Sequence, residues 1–221
     1  REIIGRNHAQ KMRASWAQLQ GDFSEDSASC FWRKFGFRCG MLKLSLIISL
    51  CTLPLAMSAQ AAFPPTPPDS NEVKTLPAGI LLQAAGRGNY FDGADNLFSP
   101  LFRYISRHKI AMTTPVEARI ESAAMLFWVA PAEQNKLAGN EAGVEIITVP
   151  ARRVASRGER GGYTRENFIE ARTKLLAWIV TQPDLAPAGE PYAVYWNAPF
   201  VPFFMKRFEV HVPVHIRATG G

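Results

Sequence analysis

Of the chain's 221 residues, 25 are Lys or Arg and 19 are Asp or Glu, a formal net charge of +6. Residues 1–61 hold 8 of the bases and 4 of the acids, which leaves 17 against 15 in the rest. That balance is too even for a nucleic-acid surface, which needs a concentrated basic excess.

Residues 1–40 open on Arg1, show no sustained period, and read as an upstream extension outside the fold. A second start follows at Met41, in MLKLSLIISLCTLPLAMSAQAAF. Lys43, the apolar run Leu44–Ala56 and the triplet Ala59-Gln60-Ala61 have the anatomy of a secretory signal peptide, 41–61. The run is 13 residues long, includes Pro54, and falls short of the roughly 20 that a membrane-spanning helix needs. Leu50 before Cys51 does not suit a lipoprotein signal. Cleavage after Ala61 predicts a periplasmic or secreted protein of about 160 residues, enough for one well-buried domain. It also removes Cys30, Cys39 and Cys51, so the exported part has no disulfide, Cys nucleophile, thiolate metal ligand or Cys-x-x-Cys-His haem attachment.

Residues 62–71 (AFPPTPPDSN) predict an extended, mobile Pro-rich linker, 72–216 the domain, and 217–221 a flexible tail. Within the domain, 73–84 reads as a strand broken near Pro77 and Gly79. A helix is expected over 92–106, with Phe98, Leu101, Phe102 and Ile105 on one side and Ser99-Pro100 as a second start within it. Strands at 115–121 and 124–130 join through a tight turn. The second half repeats this order: strand 151–158, helix 164–181 ended by Pro183, strand 192–196, and strand 208–216 with alternating Phe208, Val210, Val212, Val214 and Ile216. Each half reads β-α-β-β, without a residue-level repeat. The fold class is α+β, an antiparallel sheet with two helices packed on it.

The chemistry-bearing residues form no catalytic set. There is no G-x-S-x-G, H-E-x-x-H, phosphate loop or dinucleotide fingerprint, and the acids pair at no telling spacing, so no enzyme is predicted. His211 and His215 share a strand face about 13 Å apart and read as polar residues on an outer surface. Arg152, Arg153, Arg157 and Arg160 read as a solvated face. WNAPFVPFFMKRFEV, 196–210, is dense in aromatics; it suits either a flat apolar ligand cleft rimmed by Lys206 and Arg207, or ordinary core.

Two stretches carry a resemblance. LFRYISRHKIAMTTPV (101–116) and WNAPFVPFFMKRFEVHVPV (196–214) are similar to the paired signatures of the SOUL haem-binding family, and the likeness extends over roughly 72–216. It implies a distorted antiparallel barrel or sheet with two outer helices, and a haem or related tetrapyrrole held non-covalently in an apolar groove beside the first helix. Carried over, the groove positions are Phe98, Leu101, Phe102 and Met112, with Arg103 as the basic residue near the propionates. His108, in the loop after that helix, is the candidate axial ligand, set against a ligand-free mode of apolar contact. Thr114 stands where the family usually has Ala and Phe208 where it has Asn, and the Ser106-Arg107-His108 loop is shortened. The reading is an exported, non-enzymatic tetrapyrrole carrier or buffer, with no nucleic-acid partner and no membrane insertion after cleavage. The alternative is a periplasmic domain for another apolar small molecule or a protein partner.

Overall fold

The computed structural model describes residues 60–93, 96–198 and 200–217. The upstream extension, the signal-peptide stretch up to residue 59 and the tail beyond Arg217 lie outside the described residues.

Strands β1 (Asn71–Leu76) and β2 (Gly79–Ala85) are separated at Pro77, where a ladder N–H is missing. Helix α1 (Phe98–Arg107) starts six residues later than expected, because the Asn96 side chain accepts the Ser99 N–H and Pro100 occupies the first turn. The preceding Tyr90–Asp92 is a single 3-10 turn capped by Asn89. Strands β3 (Val116–Arg119) and β4 (Ala124–Val129) form the expected hairpin. Then come β5 (Glu145–Val149), absent from the sequence reading, and β6 (Arg152–Arg160). Helix α2 (Arg165–Val180) is capped by Thr164, whose hydroxyl accepts the Asn167 N–H. A short β7 (Leu185–Pro187), also unexpected, precedes β8 (Tyr192–Tyr195) and β9 (Arg207–Ile216).

All strand pairs are antiparallel, in the order β1-β6-β9-β8-β3-β4-β2-β5, with β7 on β9. The units β2-α1-β3-β4 and β6-α2-β8-β9 each supply three adjacent strands. They meet at β3–β8, where Val116 lies opposite Tyr195 and Arg119 opposite Tyr192. The pseudo-duplicated β-α-β-β unit is therefore present, and the sheet curls into a half-barrel with two helices.

Both faces of this sheet are covered. On one, α2 lays Phe168, Ala171, Leu175 and Ile179 against Phe208, Val210, Val212 and Val214, and α1 packs Leu101, Tyr104 and Ile105 against Leu82, Phe127 and Val129. On the other, Leu76, Leu81, Leu126, Trp128, Val154, Tyr192 and Val194 gather around Phe63. Residues 62–70 are extended, as expected, and docked rather than loose. The Phe63 ring is only 6% exposed, Ala62 N donates to the Thr114 carbonyl at 2.7 Å, and Asp69 N donates to the Gly158 carbonyl at 2.9 Å. A Cβ on Gly158 would collide with the Thr66 and Pro67 carbonyls, so this strap crosses β6 where a side chain is missing.

That cover corrects the reading of the strand-face polar residues. His211 and His215 do share a face, but His211 is 0% exposed beneath the strap while His215 lies beyond it in solvent. Among the four arginines, Arg153 and Arg160 are exposed; Arg152 and Arg157 turn inward to Glu117 and Glu159.

Candidate functional site

The strap side encloses two carboxylates, one from each half. Glu209, 1% exposed, accepts the Thr66 N–H at 2.8 Å and the Trp196 indole N–H at 2.7 Å on one oxygen. Its other oxygen takes Lys74 Nζ at 2.7 Å, Ser156 Oγ at 2.9 Å and His211 Nε2 at 2.6 Å. Burial works to raise this carboxyl, but the hydrogen bonds and charge from His211 and Lys74 outweigh it and hold it at about 2. Burial pushes the His211 imidazole down against the pull of Glu209. The ring's Nε2 lies on Glu209, and its Nδ1 faces the Tyr192 hydroxyl 3.3 Å away. Glu117 accepts from the Trp128 indole at 3.1 Å, Arg152 at 2.5 Å and Arg119 at 3.0 Å. Phe63 sits between the two tryptophans, 5.8 Å from Trp128 and 5.6 Å from Trp196, both edge-on. Each of the two carboxylates has a counter-charge, Lys74 for Glu209 and Arg119 with Arg152 for Glu117, although Arg152 Nε and Nη1 are buried without a hydrogen-bond partner among the described residues.

The helix side is different. In register, Phe208, Tyr195, Val116, Phe127 and Leu82 form one row across five strands, and residues opposite one another share a face. Phe98 of α1 packs edge-on against Phe127 at 5.5 Å and stacks on Phe102 at 5.5 Å. Phe98, Phe102, Met112, Val116 and Met125 are all only partly buried, which leaves an apolar face beside α1 over β3 and β4. Across Val116, Tyr163 stacks on Tyr195 at 4.1 Å, and Lys206 lies 5.0 Å from the Tyr163 ring. Desolvation holds the Lys206 ammonium below its ordinary value. The Tyr163 hydroxyl bonds Asn197 and Arg207. The Tyr195 hydroxyl is buried without any partner, and burial drives its pKa well up.

The structure brings Phe98, Phe102 and Met112 to this one face. Leu101 does not reach it; it is fully enclosed and supports the face from behind. Arg103 follows Phe102 by about 100° around the helix. It lines a separate cleft of about 410 Å³ with Pro100, Tyr104, Arg107 and Glu141. His108 sits beside Tyr104, ring centroids 4.6 Å apart, and its Nε2 is 2.6 Å from Glu141. Glu141 also takes Arg107 at 2.7 Å, so His108 belongs to an ion-paired corner on the Tyr104 side of α1. Sequence reasoning did not mark Val116, Tyr163 or Tyr195 for this region; only the β3–β8 register brings them beside the α1 face.

These elements make a small duplicated β-α-β-β half-barrel with a partly buried apolar face beside one helix. The profile of the SOUL heme-binding protein family matches residues 55–213, and the chain belongs to that family, a binding family by its description. The match takes in the strap as well as the sheet and helices. No curated protein matches the chain. Among solved structures, an EcmrR chain from a DNA-bound transcription complex superposes with a TM-score of 0.54 at 15% identity, over 67% of this chain and 58% of that one. The isolated EcmrR C-terminal domain gives 0.53 at 15% identity, over 67% of this chain and 98% of its own. A hydrolase from Listeria innocua gives 0.49 at 13% identity, over 68% and 94%. This chain thus spans little over half the length of the first of these, and at such identities the EcmrR likeness is one of fold alone.

Proposed function

We propose that the protein is an exported, non-enzymatic carrier or buffer of haem or a related tetrapyrrole, held reversibly against the apolar face beside α1. The observation that carries this reading is the stacked Phe98–Phe102 pair, only partly buried above Phe127 in a domain of a haem-binding family. The residues present fit such a ring. Phe98, Phe102 and Met112 offer flat and polarisable apolar contact. Beyond Val116, the unpartnered Tyr195 hydroxyl would regain a hydrogen bond from a polar ligand atom, since a buried unpaired hydroxyl costs about 1–3 kcal/mol. Lys206, partly desolvated over the Tyr163 ring that stacks on Tyr195, replaces Arg103 as the candidate partner for a carboxylate on the ring edge.

No cysteine follows Cys51, so attachment is non-covalent. Haem, when bound, supplies the iron and its redox chemistry; the chain supplies the apolar surface, the orienting cation and exclusion of water from one ring face. His108 is occupied by Glu141, so binding rests on contact rather than ligation by that residue. Hemin titration followed by Soret absorbance tests the reading: a saturable shift is expected, weakened at least tenfold in Phe102→Asp, because a carboxylate against an apolar ring loses its hydration. A linear, non-saturating response in the wild type would defeat it.

A further inference from the structure

The β8–β9 connection ends in a tip that none of the contacts above accounts for. Phe203, Phe204 and Met205 form one 3-10 turn and are 69%, 64% and 57% exposed. The turn is not slack. Met205 N and Lys206 N donate back to the Pro202 carbonyl, and Gly161 N donates to the Lys206 carbonyl. Arg207 N donates to the Asn197 side chain, and the Tyr163 hydroxyl bridges Asn197 and Arg207. A rigid base therefore holds three large apolar side chains out in water, an arrangement that marks an interaction surface.

Charge indicates what covers it. Lys206 and Arg207 follow the tip directly, and Arg160 lies opposite Arg207 in the β6–β9 register. Among the described residues none of these three cations has a carboxylate within ion-pair distance. The neighbouring Glu159 is engaged by Arg157 at 2.7 Å and Lys174 at 3.7 Å. Aromatic and Met side chains at a tip, collared by unpaired Lys and Arg, match the layering of a lipid surface, with acyl boundary beneath anionic phosphates.

We propose that this turn is a peripheral membrane anchor that seats the domain on an anionic lipid surface, Phe203, Phe204 and Met205 entering the interface while Arg160, Lys206 and Arg207 meet lipid phosphates. The seat is peripheral, because no helix among the described residues is long and apolar enough to cross a membrane. If the tetrapyrrole reading also holds, the anchor brings Lys206 and the adjoining groove to the bilayer, where an apolar ring partitions.

The test is co-sedimentation of the compact unit Ser58–Gly221, with cooperative thermal unfolding as the folding check, using vesicles of phosphatidylcholine with and without phosphatidylglycerol and no hemin. Binding is expected to the mixed vesicles only and to fall as salt is raised. Phe203→Ser with Phe204→Ser should weaken it at least tenfold, and Arg160→Ser or Arg207→Ser about fivefold each, the equivalent of about 1 kcal/mol per cation. No binding to either vesicle overturns the proposal, as does binding indifferent to Phe203→Ser/Phe204→Ser. A solution dimer dispersed by that double variant would also overturn it, assigning the tip to a second copy. Hemin titration of the same variants without vesicles is read separately, so failure of the anchor and failure of the tetrapyrrole reading give different results.

Discussion

Phe63→Ala probes the least anticipated element of the fold, the Pro-rich strap. The ring is 6% exposed, wedged edge-on between Trp128 and Trp196, with Lys74 Nζ 5.3 Å from its centre. Truncating a buried Phe costs about 3–5 kcal/mol through lost transfer energy and the cavity left behind. One wall here is a strap with few backbone donors, which relaxes into the space, so the low end applies, about 3 kcal/mol. For a domain of this size that is a fall of about 6–12 °C in thermal midpoint. Urea unfolding of Phe63→Ala and Phe63→Leu beside the wild type is the assay, with Leu expected to recover more than half the loss. Gly158→Ala should destabilise independently, since its methyl group would push the Thr66 and Pro67 carbonyls off β6 and strip Glu209 of its bond from Thr66 N. A Phe63→Ala protein within about 0.5 kcal/mol of the wild type, the scatter of ordinary surface changes, would refute the docked strap.

Acid should act in two stages. His211 has a lowered folded pKa, so its contribution is full above its unfolded value of about 6.5 and is lost as pH falls below it. Glu209, held at about 2 against 4.5 when unfolded, contributes on the order of 3 kcal/mol above pH 4.5 that disappears as pH falls towards 2. Thermal midpoints measured across pH should therefore decline gently below about 6.5 and steeply below about 4.5, and Glu209→Gln should remove the steep limb. His108→Ala should leave the hemin Soret band and affinity within twofold of the wild type; loss of a low-spin spectrum would instead make it a ligand. The secreted protein should begin at Ala62 on N-terminal sequencing, and a mature end before Met41 would contradict the signal-peptide assignment.

Periodicity made most of this fold legible. The two helices and the strands of both β-α-β-β units follow from apolar spacing, and the paired signatures placed the family. The errors share a physical origin. Alternation says which residues share a face, but not whether anything covers that face. His211 was therefore read as solvent-facing, although a strap with no period of its own lies over it. The signal that was present is the spacing of acids inside apolar strands: Glu117 between Val116 and Ala118, and Glu209 between Phe208 and Val210. A carboxylate flanked in this way must find donors, and both found an indole. β7 holds three residues including a proline, and β5 is an edge strand of five, so neither had enough length to register. The start of α1 moved because Asn96, just before the N-cap Leu97, takes the Ser99 N–H on its side chain, whereas apolar spacing locates only the middle of a helix.

The duplication itself locates the open site. The same β-α-β-β unit is built twice, and α2 shows how it closes: Phe168, Ala171, Leu175 and Ile179 are all enclosed over 16 residues of helix. α1 has 10 residues and buries three of them. Leu101, Tyr104 and Ile105 are buried against the sheet, and Phe98 and Phe102 pack on the same cluster while only partly buried. On the strap side Phe63 packs between the two indoles, a cavity of about 240 Å³ opens beside Ala61, Ala62 and Trp128, and each buried carboxylate has its cations. The polar cluster ties the strap and both halves of the half-barrel together, and under the proposed function the apolar surface beside α1 is the part that would meet the ligand.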